Sequence, residues 1–284
     1  MNTRQLRKII PSVAASDGAG VKLRRSLGGQ HGQRLDPFLM LDEFYSDDPN
    51  DYLAGFPSHP HRGFETVTIM LDGHMQHRDH MGNEGDLGPG DVQWMTAARG
   101  IIHSEMPQQT DGRMRGFQLW INLPAAEKMK PRAYRDLPAT AIPRAALDGG
   151  GSARVIAGRL IQDSASVDGP IQGHSTEPLL LDLELPAGAE VQIPLPTEHT
   201  AFVYLYEGEA TVGDSNTPVP HRAAGELGPG AAVVLKTGGA PARMLLLAAR
   251  PLHEPVVQYG PFVMNTRQEI EQAVADYQRG VLAT

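Results

Sequence analysis

The sequence predicts an all-β fold of two β-barrels in tandem, with short helices and one longer C-terminal α-helix, and three observations carry that prediction. Glycine and proline are abundant, 31 and 23 of 284 residues, while charged residues make up only 20%, the balance of a turn-rich β chain rather than a helical bundle. Short alternating or β-branched segments bounded by Gly, Pro and Asp recur along the chain, among them Thr66-Val-Thr-Ile-Met-Leu71, Val92-Gln-Trp-Met95, Phe117-Gln-Leu-Trp-Ile121 and Phe202-Val-Tyr-Leu-Tyr206. The hexapeptide Gly85-Asp-Leu-Gly-Pro-Gly90 returns as Gly225-Glu-Leu-Gly-Pro-Gly230, and each copy follows a strand ending in a turn, Leu71-Asp-Gly73 and Tyr206-Glu-Gly208. The length exceeds the roughly 250 residues at which a single core stops growing. Two copies of one β domain are therefore expected: an N-terminal domain over 1–135, a linker over 136–150 in a stretch rich in Pro, Ala and Gly, and a C-terminal domain over 151–284.

The C-terminal domain is expected to end in the one long helix. Thr266 and Glu269 have the spacing of a capping box, and Ile270, Val274 and Tyr277 form an apolar stripe that stops before Gly280. Composition excludes several functions. With no cysteine, disulfide scaffolds, thiolate metal sites, iron-sulfur clusters and cysteine nucleophiles are ruled out. A net charge of -8 argues against direct nucleic-acid binding. The basic residues near the start (Arg4, Arg7, Lys8, Lys22, Arg24 and Arg25, opposed only by Asp17) read as a solvated face. The longest apolar runs, 201–206 and 244–249, fall far short of the ~20 residues of a membrane helix, and 1–12 lacks the apolar core of a signal peptide. A cytoplasmic protein with no membrane contact is expected.

Chemistry concentrates in the histidines. Of 11 in the chain, His59, His61, His74, His77, His80 and His103 share one short stretch. Side chains two apart on a strand point to one face, so His59 and His61 project together, and His103 and Glu105 repeat the arrangement. Two strands of one barrel thus deliver three nitrogens and one carboxylate to a common point, a donor set suited to a divalent transition ion. The second repeat is an internal control. Counted from Gly73 and Gly208, the positions matching His59 and His61 are Pro194 and Pro196; counted from Gly90 and Gly230, those matching His103 and Glu105 are Arg243 and Leu245. The second domain is expected to be metal-free and structural. Gly149-Gly-Gly151 reads as flexible spacing, Ser104 points away from the ligand face, and Trp94 and Trp120 read as core.

Several stretches together resemble the pirin family of two-domain cupins: Gly55-Phe-Pro-Ser-His-Pro-His-Arg-Gly-Phe-Glu-Thr66, His77-Arg-Asp79, Gly90-Asp-Val-Gln-Trp-Met-Thr-Ala97, Gly100-Ile-Ile-His-Ser-Glu-Met-Pro107, Gln118-Leu-Trp-Ile-Asn-Leu123 and Gly260-Pro-Phe-Val-Met-Asn-Thr266. The resemblance spans nearly the whole chain. It implies two jelly-roll-like cupin barrels with one metal in the N-terminal barrel, most often Fe(2+), with Mn, Co, Ni, Cu or Zn as alternatives, held by residues matching His59, His61, His103 and Glu105. The general cupin pattern would use Glu65 as the carboxylate; the pirin pattern favours Glu105, with Glu65 behind it holding an imidazole N–H. Ala98 stands where a glycine is usual and His80 where another residue is common, changes expected to alter the pocket rim, and His74, His77 and His80 are expected at the surface or rim. The resemblance further implies a flavonol 2,3-dioxygenase acting on quercetin-like substrates and O2, with Glu105 as catalytic base. Its competitor is a metal-dependent regulatory protein that contacts a protein partner. A monomer is expected.

Overall fold

A computed structural model describes residues 2–29, 33–163 and 165–284. The β-branched and alternating segments form antiparallel strands; Gly73 (φ +89°) and Gly90 (φ +87°) lie in turns between them, while Gly208 (φ +75°) sits at a bend within the strand Thr200–Val212. No helix among the described residues is long and apolar enough to cross a membrane. The chain divides into two units: Val13–Arg34, Phe38–Ala139 and Leu252–Thr284 form one, and Met1–Ser12, Leu35–Pro37 and Thr140–Pro251 the other.

The first unit contains two facing antiparallel sheets. The larger has seven strands in the order Ala133–Leu137, Val92–Thr96, Phe64–Asp72, Met114–Asn122, Phe38–Ser46, Val21–Leu27 and Val13–Asp17. The smaller has four, ordered Phe56–His61, Ile101–Pro107, Met75–Asp79 and Glu84–Leu87. To these the chain's last segment adds the hairpin Val257–Tyr259 with Phe262–Met264 and the helix Arg267–Gln278. The helix starts where expected: the Glu269 N–H donates to Thr266 Oγ1 (3.2 Å) and the Thr266 N–H to Glu269 Oε2 (2.8 Å). Ile270 and Ala273 are buried with Phe262, Met264 and Leu282, and Val274 packs against them, while Tyr277 stays 41% exposed.

The second unit is a ten-stranded sheet folded around an apolar interior of Leu, Val, Ile and Ala side chains. Its backbone is two long strands, Thr200–Val212 and Ala232–Ala249, bent at register shifts between Leu205 and Glu207 and between Gly208 and Ala210 so that each serves both faces.

The boundaries expected from sequence, 1–135, 136–150 and 151–284, differ from these units at both ends. Leu6–Pro11 pairs with Ala223–Leu227, and Thr3–Arg4 with Ala232–Ala249. Arg4 is no surface residue. It is 1% exposed and its guanidinium donates to the carbonyls of Gly230, Gly228, Pro196, Thr197 and His199, capping turns whose own acceptors would otherwise be unmet. At the other end, the helix joins the unit of residues 13–139 rather than the C-terminal barrel. The 136–150 stretch is also not a bare linker, since Ala133–Leu137 pairs with Val92–Thr96 and Arg144–Ala146 with Ser152–Ala157; the chain passes between units at Ala139 and Thr140.

Candidate metal centre

Pleat and register of two neighbouring strands assemble the site. His59 and His61 leave one face of Phe56–His61, and the antiparallel strand Ile101–Pro107 sets His103 opposite His59 and Ile101 opposite His61. The three rings meet with centroids 4.7 Å (His59–His61), 4.4 Å (His59–His103) and 4.9 Å (His61–His103) apart. His59 Nε2 lies 3.0 Å from His61 Nε2, and one nitrogen of each ring falls within 4.8 Å of the others.

The donor chemistry fits an ion. His61 and His103 are each 2% exposed. Burial, reinforced by the neighbouring imidazoles, holds both well below the ordinary histidine range, so they are neutral and carry lone pairs. His59 Nδ1 donates to the Pro57 carbonyl at 2.8 Å, which leaves Nε2 as the free lone pair. His103 Nε2 is buried with no hydrogen-bond partner, a loss of about 1–3 kcal/mol that a coordinated cation would recover. A divalent transition metal suits this set.

Glu105 is buried at 2% exposure and lines the same cavity as His59 and His61, but lies outside the close histidine cluster. The register with Phe56–His61 shifts between His103 and Glu105, setting Glu105 opposite Phe56. Thr68 Oγ1 donates to its Oε1 at 3.0 Å, and Gln118 Nε2 lies 3.3 Å from both oxygens. Glu65, expected to hold an imidazole N–H, accepts from Thr96 Oγ1 at 2.5 Å, while the outer nitrogens of His59 and His103 are met by the Pro57 carbonyl and by His77. His77 corrects another expectation: it is fully buried, with its Nδ1 3.3 Å from His103 Nδ1 and its ring 5.6 Å from that of Tyr134. His74 and His80 are exposed, as the hairpin reading expects. Ala98 is buried away from the cavity, in the left-handed region at φ +43°, where glycine carries no penalty.

The cluster opens on a cavity of about 570 Å³. Leu23, Met40, Phe44, Phe56 and Trp120 give it apolar walls, and Trp120 meets His61 edge to face at 5.2 Å, a cavity role beyond the core position read from sequence. Two groups that sequence reasoning missed also line it. Arg25 forms a fork with Asp42, Nε to Oδ1 at 2.8 Å and Nη2 to Oδ2 at 2.6 Å, and burial pushes the Asp42 carboxyl up to about 6. Gln258, Gly260 and Pro261 complete the wall from the chain's last segment.

Sequence profiles of two families match, "Pirin" over residues 20–121 and "Pirin C-terminal cupin domain" over residues 180–283. The chain belongs to the pirin family. A Pseudomonas aeruginosa protein named, provisionally, as a quercetin 2,3-dioxygenase is 55% identical over 95% of this chain and 94% of its own length. The human protein named pirin is 42% identical, covering 92% of this chain and 88% of its own. Among solved structures, quercetin 2,3-dioxygenase from Acinetobacter baumannii superposes with a TM-score of 0.89 at 34% identity, covering 99% of each chain.

The pirin motif His59-Pro-His-Arg-Gly63 has a second half with its own work. Arg62, 4% exposed, donates Nε to the Arg99 carbonyl (2.5 Å) and Nη1 to Asp276 Oδ2 of the helix (2.7 Å). A Cβ on Gly63 would stand 1.9 Å from the Val263 carbonyl oxygen. Buried Lys128 fastens the same place, donating Nζ to the Gly63 carbonyl (2.7 Å), Asn122 Oδ1 (2.6 Å) and the Val263 carbonyl (3.0 Å), and burial brings its ammonium down to about 8.

Proposed function

We propose that this pirin is a metal-dependent dioxygenase that opens the central ring of flavonols such as quercetin with loss of carbon monoxide. The observation that carries the reading is the meeting of three histidine nitrogens at a mostly apolar cavity with a buried carboxylate beside them. The cavity volume of about 570 Å³ lies in the range of sites for drug-sized planar ligands. The names of the Pseudomonas and Acinetobacter relatives support the same chemistry.

His59, His61 and His103 would hold the ion, for which Fe(2+) is the first candidate, and Glu105 would complete the set, since each carboxylate oxygen keeps a lone pair beyond its hydrogen bonds to Thr68 and Gln118. When bound, the metal supplies Lewis acidity and electron transfer to dioxygen. Glu105 takes the proton of the flavonol 3-hydroxyl, leaving an electron-rich flavonolate. Thr68 and Gln118 fix that carboxylate in place. Trp120, Phe44 and Phe56 cover the planar rings and exclude water, and the Arg25–Asp42 pair offers polar contacts to phenolic hydroxyls.

Protein loaded separately with iron, manganese, cobalt, nickel or copper and incubated aerobically with quercetin tests the reading. Loss of flavonol absorbance with release of carbon monoxide is expected. No turnover with any of these metals would replace it with a non-catalytic, metal-dependent role in binding a partner.

A further inference from the structure

We propose that His77 is a positioning residue that fixes His103 as a metal ligand through a chain of two neutral imidazoles. The inference rests on the histidine cluster holding a metal and is independent of the flavonol reading. His103 has two ring nitrogens in different surroundings. Nε2 is buried without a hydrogen-bond partner, and Nδ1 lies 3.3 Å from His77 Nδ1. To present a lone pair at Nε2, His103 must carry its proton on Nδ1, and His77 Nδ1 stands there to accept it. That assigns the tautomer of both rings: His77 accepts at Nδ1 and keeps its own proton on Nε2, which is buried without a hydrogen-bond partner, so the contact to His103 carries that unmet donor as its cost.

The strands make this contact on purpose of register rather than by chance packing. Met75–Asp79 lies beside Ile101–Pro107 with Asp79 opposite His103 and His77 opposite Glu105, so His77 reaches His103 along the diagonal of the sheet. The Tyr134 ring packs against that of His77, tilted by 31° with centroids 5.6 Å apart, and restrains its orientation. Both histidines are almost wholly buried, at 0% and 2% exposure, so water does not compete for the bond. An outer partner of a metal-bound histidine is commonly a carboxylate. Here it is a second imidazole nitrogen, a weaker acceptor than a carboxylate oxygen.

Three substitutions separate this role from packing. In His77→Asn the side-chain oxygen falls where Nδ1 was and still accepts; in His77→Phe the ring shape is kept and the acceptor lost; in His77→Gln the polar end is carried past the Nδ1 position. Affinity for Co(2+) and Ni(2+) is measured by competition with a chromophoric chelator, alongside the visible spectrum of the cobalt protein and thermal melting of the metal-free forms. The expected result is metal affinity 10–100-fold weaker in the Phe and Gln variants and within about threefold of the parent in the Asn variant, while melting temperature follows the fill of the site, with Phe above Asn. Affinities equal in all four proteins, or falling in the order of melting temperatures, would overturn the proposal. Should the Phe variant fail to fold, the Asn against Gln comparison decides alone. A parent that binds neither ion would instead remove the metal-centre reading on which the inference stands.

Discussion

Gly63→Ala tests how the site-bearing barrel is held to the chain's last segment. Gly63 has φ +95°, and an added Cβ would lie 1.9 Å from the Val263 carbonyl oxygen and 2.9 Å from Met264 Sδ, so the hairpin strand Phe262–Met264 must move. An L-residue in this region of φ costs roughly 1–2 kcal/mol. Displacing Val263 gives up its N–H bond to the Arg62 carbonyl (3.0 Å) and the Lys128 Nζ bond to its carbonyl (3.0 Å), about 1 kcal/mol each. The total is about 3–4 kcal/mol, which for a protein of this size lowers the melting temperature by roughly 10 °C. Gly82→Ala is the control: φ is +84° and nothing lies within 4 Å of the added Cβ, so only the backbone cost is paid. Calorimetry on both variants, with limited proteolysis of the last segment, reads the difference. Equal losses in the two would show that the close approach at Val263 carries no stability.

Three further outcomes follow from the structure. Ala98→Gly relieves a buried residue at φ +43° at the cost of a more flexible unfolded chain, and should raise the urea midpoint by the equivalent of up to about 1 kcal/mol; a lower midpoint would contradict the strain. Glu105→Gln should cut flavonol turnover by about 10²–10⁴-fold while leaving melting nearly unchanged, and full activity would remove Glu105 as the base. In metal-free protein, His61 and His103 are held below their unfolded value of about 6.5. The unfolded chain therefore takes up protons first, and these groups draw stability down as the pH falls below about 6.5, with no effect above it. Asp42, pushed up to about 6, acts in the opposite sense below that pH because the folded state binds its proton first. Urea midpoints of the parent and His61→Asn between pH 7.5 and 6 should show the steeper fall in the parent; identical slopes would refute the assignment.

What the sequence made legible was local. The period of two put His59 with His61 and His103 with Glu105, the capping box placed the helix start at Thr266, and the repeated hexapeptide revealed two barrels. What stayed hidden was pairing across long stretches of chain. Arg4 reaches Gly230, and Arg62 reaches Asp276, contacts for which no local pattern exists. The error at His77 has the same source. Its three-residue spacing from His74 and His80 read as a hairpin surface, and it is buried because Tyr134 comes against it from the strand Ala133–Leu137. The end of that strand fell in the Pro- and Ala-rich stretch taken for a linker. The pairing of Arg25 with Asp42 was hidden likewise, since adjacent strands, not sequence neighbours, bring them together.

The last segment makes the cavity depend on residues far apart along the chain. Every candidate ligand lies before residue 106, yet Gln258, Gly260 and Pro261 are part of the cavity wall. During synthesis roughly 110 residues of the other unit emerge between the two, on the order of 10 s at typical elongation rates. Throughout that interval the candidate ligands have been made and the residues that complete their cavity wall have not. Until the last segment is made, the cavity around the candidate ligands lacks that side of its wall.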